Sequence, residues 1–465
     1  MHKRKTFRGK YRIAFLLFIM LLPTVILGTN TPVPGQIIIG LNEGESPDGI
    51  AQRIDGEVIG SISDIDTHLL SFSKSRSLND IIEDISSQPG VKFVQPDYMM
   101  FLPEVEQISQ EFPDGNRPVY VRGISPETYY KQPGAYNIGV DSANLISTGE
   151  NTLIAVIDNG VDFNHPLFKN AFVSSGYDYI DSDDDASTEP GSLQSHGTFV
   201  SSVILRVAPD CQILPLRTFN AEGIGNCFAI ASAINRAIED GADVINMSFS
   251  MYRPSPLIEH LVNEAVQAGV ALVAAAGNDS CDITSYPGAY NYVLAVSAID
   301  QTDYLATFSN YGDYIDVCAP GVDIYGALSG EFEWGTWSGT SFAAPFVSAT
   351  CALVTDLKPG WKTRRIWNHI KATANSNLQW GAVPLDDSQY GDGCIDVYEA
   401  VLSIIKGDVN GDGEVNFLDI DYLNRHVNMS GPEPIPLHSV GDMDRSGIID
   451  SEDISLLINK VYKKK

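Results

Sequence analysis

Apolar residues along this 465-residue chain fall into three successive patterns. Between about Leu153 and Val296, short continuous apolar runs alternate with stretches of helical spacing. Leu153 to Ile157, Val244-Ile245-Asn246, Val270 to Ala276 and Tyr292 to Val296 read as strands buried on both faces. Phe199 to Leu205, Ala229 to Glu239 and Leu257 to Ala268 read as the helices between them. That alternation predicts an α/β domain on a doubly wound parallel sheet. Farther on, the apolar run Phe342 to Val354 predicts a buried helix that ends near Lys358-Pro359.

The flanks follow other rules. Gln36 to Phe101 holds short strands at Ile37-Ile38-Ile39, His68 to Phe72 and Val91 to Val94, with an amphipathic helix at Leu78 to Ile85, which predicts a small α+β unit. Residues 102–136 are rich in Pro, Gly and polar residues without a clear period, and read as an exposed connector. Near the C-terminus the pattern duplicates itself. Asp408-Val409-Asn410-Gly411-Asp412-Gly413-Glu414 returns as Asp442-Met443-Asp444-Arg445-Ser446-Gly447-Ile448, and each copy runs into a helical stretch, Phe417 to Val427 and Ile454 to Val461.

Charge and termini narrow the setting. A net charge of -29 argues against nucleic acid or an anionic membrane as partner and favours cations. Residues 1–28 read as a secretory signal: Lys3, Arg4, Lys5, Arg8, Lys10 and Arg12 form a basic start, Ile13 to Leu27 an apolar segment, and Gly28 a small residue suited to cleavage. An uncleaved anchor is the competing reading, weakened by Pro23 and the short run. No second apolar segment of spanning length is expected, so the mature chain is expected to be exported and free of membrane. The six cysteines permit disulfides there, but their pairing stays open. Cys211 and Cys227 are the nearest pair, Cys318 and Cys351 are expected as buried thiols, and no cysteine has zinc-site spacing.

Candidate chemistry sits where the strands end. Asp158 closes the Leu153 strand, at the end where open α/β sheets place their sites. Ser195-His196-Gly197-Thr198 opens a helix, and Gly339-Thr340-Ser341-Phe342-Ala343-Ala344-Pro345 opens the long apolar one. A serine there is either a helix cap or a nucleophile at a helix N-terminus, where N–H groups favour developing negative charge. A nucleophilic serine needs a base and a carboxylate to orient that base, and His196 and Asp158 supply both types. The other nearby histidine, His165, lies in a proline turn and reads as structural.

Asp158-Asn159-Gly160, His196-Gly197-Thr198 and the Gly339–Pro345 heptapeptide, in that order, resemble the three signature motifs of the subtilisin family of serine endopeptidases. The resemblance runs from about Asn151 to Leu402 and implies the subtilisin fold and hydrolysis of protein or peptide substrates by an Asp158/His196/Ser341 triad. It further implies that Asn278 is the oxyanion-hole asparagine, and that Gly223-Ile224-Gly225 and Ser248-Phe249-Ser250 flank extended substrate. Three departures from the family pattern stand out. Asn159 replaces a usual Ser or Thr, and Ser250 a common Gly. Leu167, with the short link from the His196 helix to Val207-Ala208-Pro209, implies that the high-affinity calcium site of bacterial relatives is absent. The unit at 36–101 resembles the intramolecular inhibitors of secreted relatives, and its tail, Tyr98-Met99-Met100-Phe101, is expected to lie in the cleft until cut. The point of maturation, between Phe101 and about Tyr136, stays open.

The duplicated tail places oxygen-bearing or carbonyl-donating residues at calcium-loop positions 1, 3, 5, 7, 9 and 12. In the first copy these are Asp408, Asn410, Asp412, Glu414, Asn416 and Asp419. In the second they are Asp442, Asp444, Ser446, Ile448, Asp450 and Asp453. Two such loops, each followed by one helix and joined by the Pro-rich stretch 431–436, resemble a dockerin. That implies a small all-α module folded around two Ca2+ ions and a cohesin-bearing scaffold or surface protein as partner. Phe417-Leu418 and Ser451-Glu452 occupy the family's partner-selecting positions and differ from each other. The expected organisation is signal peptide 1–28, inhibitor-like propeptide 36–101, connector 102–136, subtilisin-like domain 137–405 and dockerin 406–465.

Overall fold

The computed structural model describes residues 31–73, 75–104, 121–122, 124–169, 171, 175–190, 195–330, 333–376 and 390–462. The expected signal at 1–28 and the middle of the connector, 105–120, lie outside the described residues.

The N-terminal unit is an antiparallel sheet of β1 (Pro32–Leu41), β2 (Val58–Ile62), β3 (Thr67–Ser71) and β4 (Val91–Phe101), in the order β2-β3-β1-β4. Two helices, α1 (Asp48–Arg53) and α2 (Leu78–Ser86), accompany it, the second capped by Ser77. The unbroken run Ile37-Ile38-Ile39 has a two-sided cause. Ile37 and Ile39 pack with Ile54, Leu70, Ile81 and Ile85 in the unit's own core, whereas Ile38 joins Ile62 and Leu69 in the core of the next domain. A strand sandwiched this way loses the alternation of a half-exposed one, and each such side chain gains about 1.5–3 kcal/mol from burial.

The polar residues on that docking face meet helix ends. Gln95, opposite Ile38, accepts from Leu257 N–H (3.3 Å) and donates to Ser255 Oγ (3.2 Å) at the start of a later helix. Two residues on, buried Asp97 accepts from Phe228 N–H (3.1 Å) at the start of another. First-turn N–H groups have no partner within their own helix, so the N-terminal unit satisfies donors that the next domain leaves open.

The expectation of an exposed connector holds only in part. The strand β5 (Val121–Arg122) and the short helices α3 (Pro126–Tyr130), α4 (Pro133–Asn137) and α5 (Val140–Ala143) occupy its later part and the residues just beyond. Tyr129 is fully buried and donates to Ser202 O at 2.7 Å, while Leu102 and Glu104 are buried at the other end. Helices of five residues are too short to show a period, which is why this packing is invisible in the hydropathy pattern.

The central sheet gathers seven parallel strands in the order β13-β12-β11-β10-β6-β8-β7. These are β6 (Leu153–Asp158), β7 (Tyr177–Asp178), β8 (Gln212–Arg217), β10 (Val244–Met247), β11 (Ala271–Ala275), β12 (Val293–Ile299) and β13 (Val317–Pro320), while β9 (Ile224–Asn226) stands outside as a sheet edge. Helices α6 (His196–Val207), α7 (Cys227–Glu239), α8 (Pro256–Ala268) and α9 (Thr340–Leu357) bury the strands as two packed pairs, α6 with α9 and α7 with α8. From β6 the chain first reaches β7 at the sheet edge, comes back through β8 beside β6, and then crosses to β10 on the other side of β6. The order reverses between β6 and β10, the place where open α/β sheets form a crevice at the strands' carboxyl ends. A hairpin of β14 (Ile324–Ala327) and β15 (Trp334–Trp337) borders α6.

Contrary to expectation, one later segment does have membrane-spanning length and composition: α9 itself, although 89% of it is buried inside the protein. Beyond α10 (Thr363–Thr373) and α11 (Val397–Ile405), the tail forms α12 (Phe417–Met429), α13 (His438–Gly441) and α14 (Ser451–Tyr462) around Val409, Leu423, Val440 and Leu457.

Asp97 carries a testable consequence of this docking. Burial pushes its carboxyl up to about 7, against the pull of the Phe228 and Cys227 N–H groups. A raised folded-state value means that its contribution is complete near pH 4 and lost as pH rises through about 7. In a Ser341→Ala chain, Asp97→Asn should therefore gain stability over its parent between pH 5 and pH 8, measured by denaturant midpoint. A relative loss over that range would contradict the assignment.

Candidate active site

Three strand ends converge at the crevice: Asp158 is the last residue of β6, Ser248 follows β10, and Asn278 lies three residues beyond β11. His196 is the first residue of α6 and Ser341 the second of α9, and the two helices pack together. Asp158 Oδ1 lies 2.8 Å from His196 Nδ1, and both residues are buried. Gly197 makes this approach possible, because a Cβ there would sit 2.3 Å from Gly160 O. Asn159 accepts from Gly197 N–H at 2.9 Å, so the departure from Ser or Thr keeps a hydrogen bond at the same turn. The rings of Trp337 and Phe342 flank His196 at 5.7 and 5.3 Å.

Ser341 is positioned by a consequence of Pro345. Proline has no N–H, so the carbonyl four residues earlier, that of Ser341, has no helical donor. Ser248 Oγ donates to it instead at 2.8 Å, and Ser341 Oγ donates back to Ser248 O at 3.0 Å. Asn246 holds Ser248 through Nδ2 to Oγ at 2.9 Å, and itself accepts from Ser348 Oγ at 2.8 Å. Asn246 and Ser348 are not legible as site residues in the sequence, since their strand and helix read only as core elements, whereas Ser248 is expected beside substrate.

The carboxamide of Asn278 has its orientation set by Thr340. Its Oδ1 accepts from Thr340 N–H and Thr340 Oγ1, both at 2.9 Å, which turns Nδ2 into the crevice. There Nδ2 donates to Glu104 Oε1 at 3.1 Å. Glu104 Oε2 lies 3.0 Å from His196 Nε2, an ion contact without good hydrogen-bond alignment. His196 thus stands between two buried carboxylates. Burial opposes its charge, but Asp158 and Glu104 prevail and raise its pKa to about 10. Glu104 falls in the stretch expected as connector; a lone Glu after Pro103 carries no sequence signal.

The residues expected to flank substrate divide. Ile224–Asn226 pairs antiparallel with Met99 to Phe101 of β4, and Gly223 O accepts from Leu102 N–H at 2.9 Å. Met100 and Leu102 are buried. Ser248 touches Ser341, whereas the Phe249 ring is fully buried against Phe219. Ser250 lies beside Gly277, where a Cβ would come within 3.1 Å of its Oγ. His165 is buried against Trp334 and Phe168, as a structural residue would be.

The two tail loops share the bonds made by their first and last carboxylates. Asp408 accepts from Asp412 and Gly413 N–H at 3.1 and 2.8 Å; Asp442 accepts from Ser446 and Gly447 N–H at 3.0 and 2.9 Å. Asp419 reaches back to the N–H groups of Val409, Asn410 and Asn416, as Asp453 does to Met443, Asp444 and Asp450. Oxygens of Asp442, Asp444 and Asp453 lie within 4.8 Å of one another. Such an all-oxygen set, with two of its carboxylates buried, fits a hard divalent cation such as Ca2+. The backbone carbonyl of Ile448 accepts from Ser446 Oγ (3.0 Å), the Glu414 N–H donates to Asp412 (2.9 Å), and Asn410 Nδ2 donates to Asp412 (3.1 Å). Asn416 and Asp450 accept the N–H groups two residues on.

Comparison with known proteins agrees with this architecture. The Subtilase family model matches residues 149–393, the Fervidolysin N-terminal prodomain residues 25–97 and the Dockerin type I domain residues 406–462. The Thermophilic serine proteinase of Bacillus sp. (strain AK1) is 32% identical over 338 residues, covering 69% of this chain and 78% of its own. Subtilisin Savinase of Lederbergia lenta is 34% identical over 253 residues, covering 52% of this chain and 88% of its own. The crystal structure of fervidolysin from Fervidobacterium pennivorans superposes with a TM-score of 0.66 at 24% identity, over 80% of this chain and 61% of that one, a likeness of fold. With a parallel sheet of this order, an N-terminal prodomain and a C-terminal dockerin, the chain belongs to the subtilase family of serine endopeptidases.

Proposed function

We propose that this protein is a secreted, prodomain-controlled endopeptidase in which Ser341 is the nucleophile and the dockerin holds the enzyme on a cohesin-bearing partner. The 2.8 Å contact of Asp158 with His196 Nδ1 is the observation that carries the peptidase reading. Asp158 holds the ring with Nε2 toward the crevice and stabilises the imidazolium that forms. His196 takes the Ser341 proton as Oγ bonds to the substrate carbonyl carbon, and returns it to the leaving amine as the peptide C–N bond breaks. Between those two steps Asn278 Nδ2 and the Ser341 N–H hold the oxyanion, the amide already turned for this by Thr340. Water enters, gives a proton to His196 as its oxygen bonds to the acyl carbon, and His196 passes that proton to Ser341 Oγ as the ester C–O bond breaks and the carboxyl product leaves. Substrate adds to the β9 edge as an extended strand, as Met99 to Phe101 do here.

In the tail, Asp408, Asn410, Asp412, Glu414 O, Asn416 and Asp419 would hold one Ca2+, and Asp442, Asp444, Ser446, Ile448 O, Asp450 and Asp453 the other. The metal supplies the positive charge that lets these carboxylates converge. Phe417 and Leu418 are 62% and 59% exposed beside the first loop, an apolar contact that Ser451 and Glu452 do not repeat, which favours one binding orientation. A second reading, a tail that stabilises the enzyme without a partner, draws support from its packing. Leu402 of α11 shares the dockerin core, and Arg445 is bonded to Glu399.

Ser341→Ala should fold and abolish peptidase activity, read with a peptide substrate after separate removal of the prodomain; unchanged turnover would refute the nucleophile. Asn278→Ala should lower kcat by about 100- to 1,000-fold with little change in KM, a loss known from subtilisin itself. An equal rise in KM alone would point to substrate binding. Asp453→Asn or chelation should abolish capture by an immobilised cohesin. If capture never occurs and only the melting temperature falls, the stabiliser reading prevails.

A further inference from the structure

The crevice holds a polar group that the proposed reaction does not use. Glu104 is 1% exposed, in a chain segment that leaves β4, crosses the β9 edge through Leu102, and turns so that its carboxylate enters between Asn278 and His196. Oε1 takes the Asn278 Nδ2 donor at 3.1 Å, and Oε2 faces His196 Nε2 at 3.0 Å. Gly339 lines the same space: a Cβ there would lie 2.6 Å from Oε1. A carboxylate so placed carries its negative charge where the tetrahedral oxyanion would form.

We propose that Asn278, His196 and the Gly339 backbone form a carboxylate-binding site, and that Glu104 is its internal ligand, keeping the uncut chain inactive from within the oxyanion position. The proposal rests on the peptidase reading above. Its effect on the three reacting groups is concrete. The Asn278 donor is taken, and His196 Nε2 is held by an anion and cannot accept a proton. Ser341 Oγ donates to Ser248 O, and no hydrogen bond joins it to His196 Nε2. Trp337 and Phe342 present rings to His196, and among the described residues the charged groups in contact with it are Asp158 and Glu104. The site is thus blocked by a side chain as well as by the strand that precedes it. Removing the strand's hold on β9 and removing the carboxylate are separable events.

The test is the rate at which a fluorophosphonate probe labels Ser341 in the uncut full-length chain, read from the precursor band on a gel so that cut molecules do not contribute. Glu104→Ala and the near-isosteric Glu104→Gln should label faster than the parent by about ten- to a hundredfold, the size of one hydrogen bond to a charged group. Glu104→Asp should fall between them and the parent. Melting curves of each variant in a Ser341→Ala background verify folding, and if Glu104→Ala does not fold, the comparison rests on Glu104→Gln. Equal labelling of parent and folded variant, within twofold, would overturn the proposal. A cut parent enzyme that fails to label at Ser341 would instead overturn the peptidase reading itself.

Discussion

The pairing of His196 with buried carboxylates is the constraint on which the rest of the molecule depends. An imidazole at the first residue of α6 would ordinarily be neutral in so dry a place, yet Asp158 and Glu104 hold it charged. Bringing Asp158 there requires β6 to end at the reversal in strand order, and bringing His196 requires the close turn at Gly197. Bringing Glu104 requires the whole N-terminal unit to dock. Fold, site and latency therefore share one electrostatic centre.

Docking of that unit is a matter of paired deficits. Its sheet exposes Ile38, Ile62 and Leu69, an apolar face with no cover of its own, while the catalytic domain presents two helix starts with open N–H groups. Gln95 and Asp97 meet both needs from one strand. The same strand then continues into the β9 edge, so that the register set by Gln95 and Asp97 also sets where Met100, Leu102 and Glu104 fall.

Much of this architecture is legible in the order of residues alone. Continuous apolar runs disclose the parallel strands because a sheet covered on both faces has no polar face to alternate with, and the repeated Asp-x-Asn/Asp-x-Asp/Ser-Gly spacing discloses both tail loops. Asp158 and His196, expected as partners from their residue types and places, do meet. Glu104, Asn246 and Gln95 are not legible, because each works through a contact across more than ninety residues and none sits in a local pattern. Tyr129 is hidden for a different reason: five-residue helices in a Pro-rich stretch pack by single anchors. The charge of -29 suggests solvation and calcium, and it does include both loops, yet its most consequential members are two buried carboxylates beside one histidine.

The most direct measurement is an NMR titration of the His196 ring in the intact Ser341→Ala chain. The imidazolium should persist until pH approaches about 10, with Nδ1–H and Nε2–H both present at neutral pH. By linkage, the stability contributed by this charge is complete below about 6.5 and fades as pH climbs through about 10. A ring that loses its proton near 6.5 in the intact chain would contradict the claim that two carboxylates hold it.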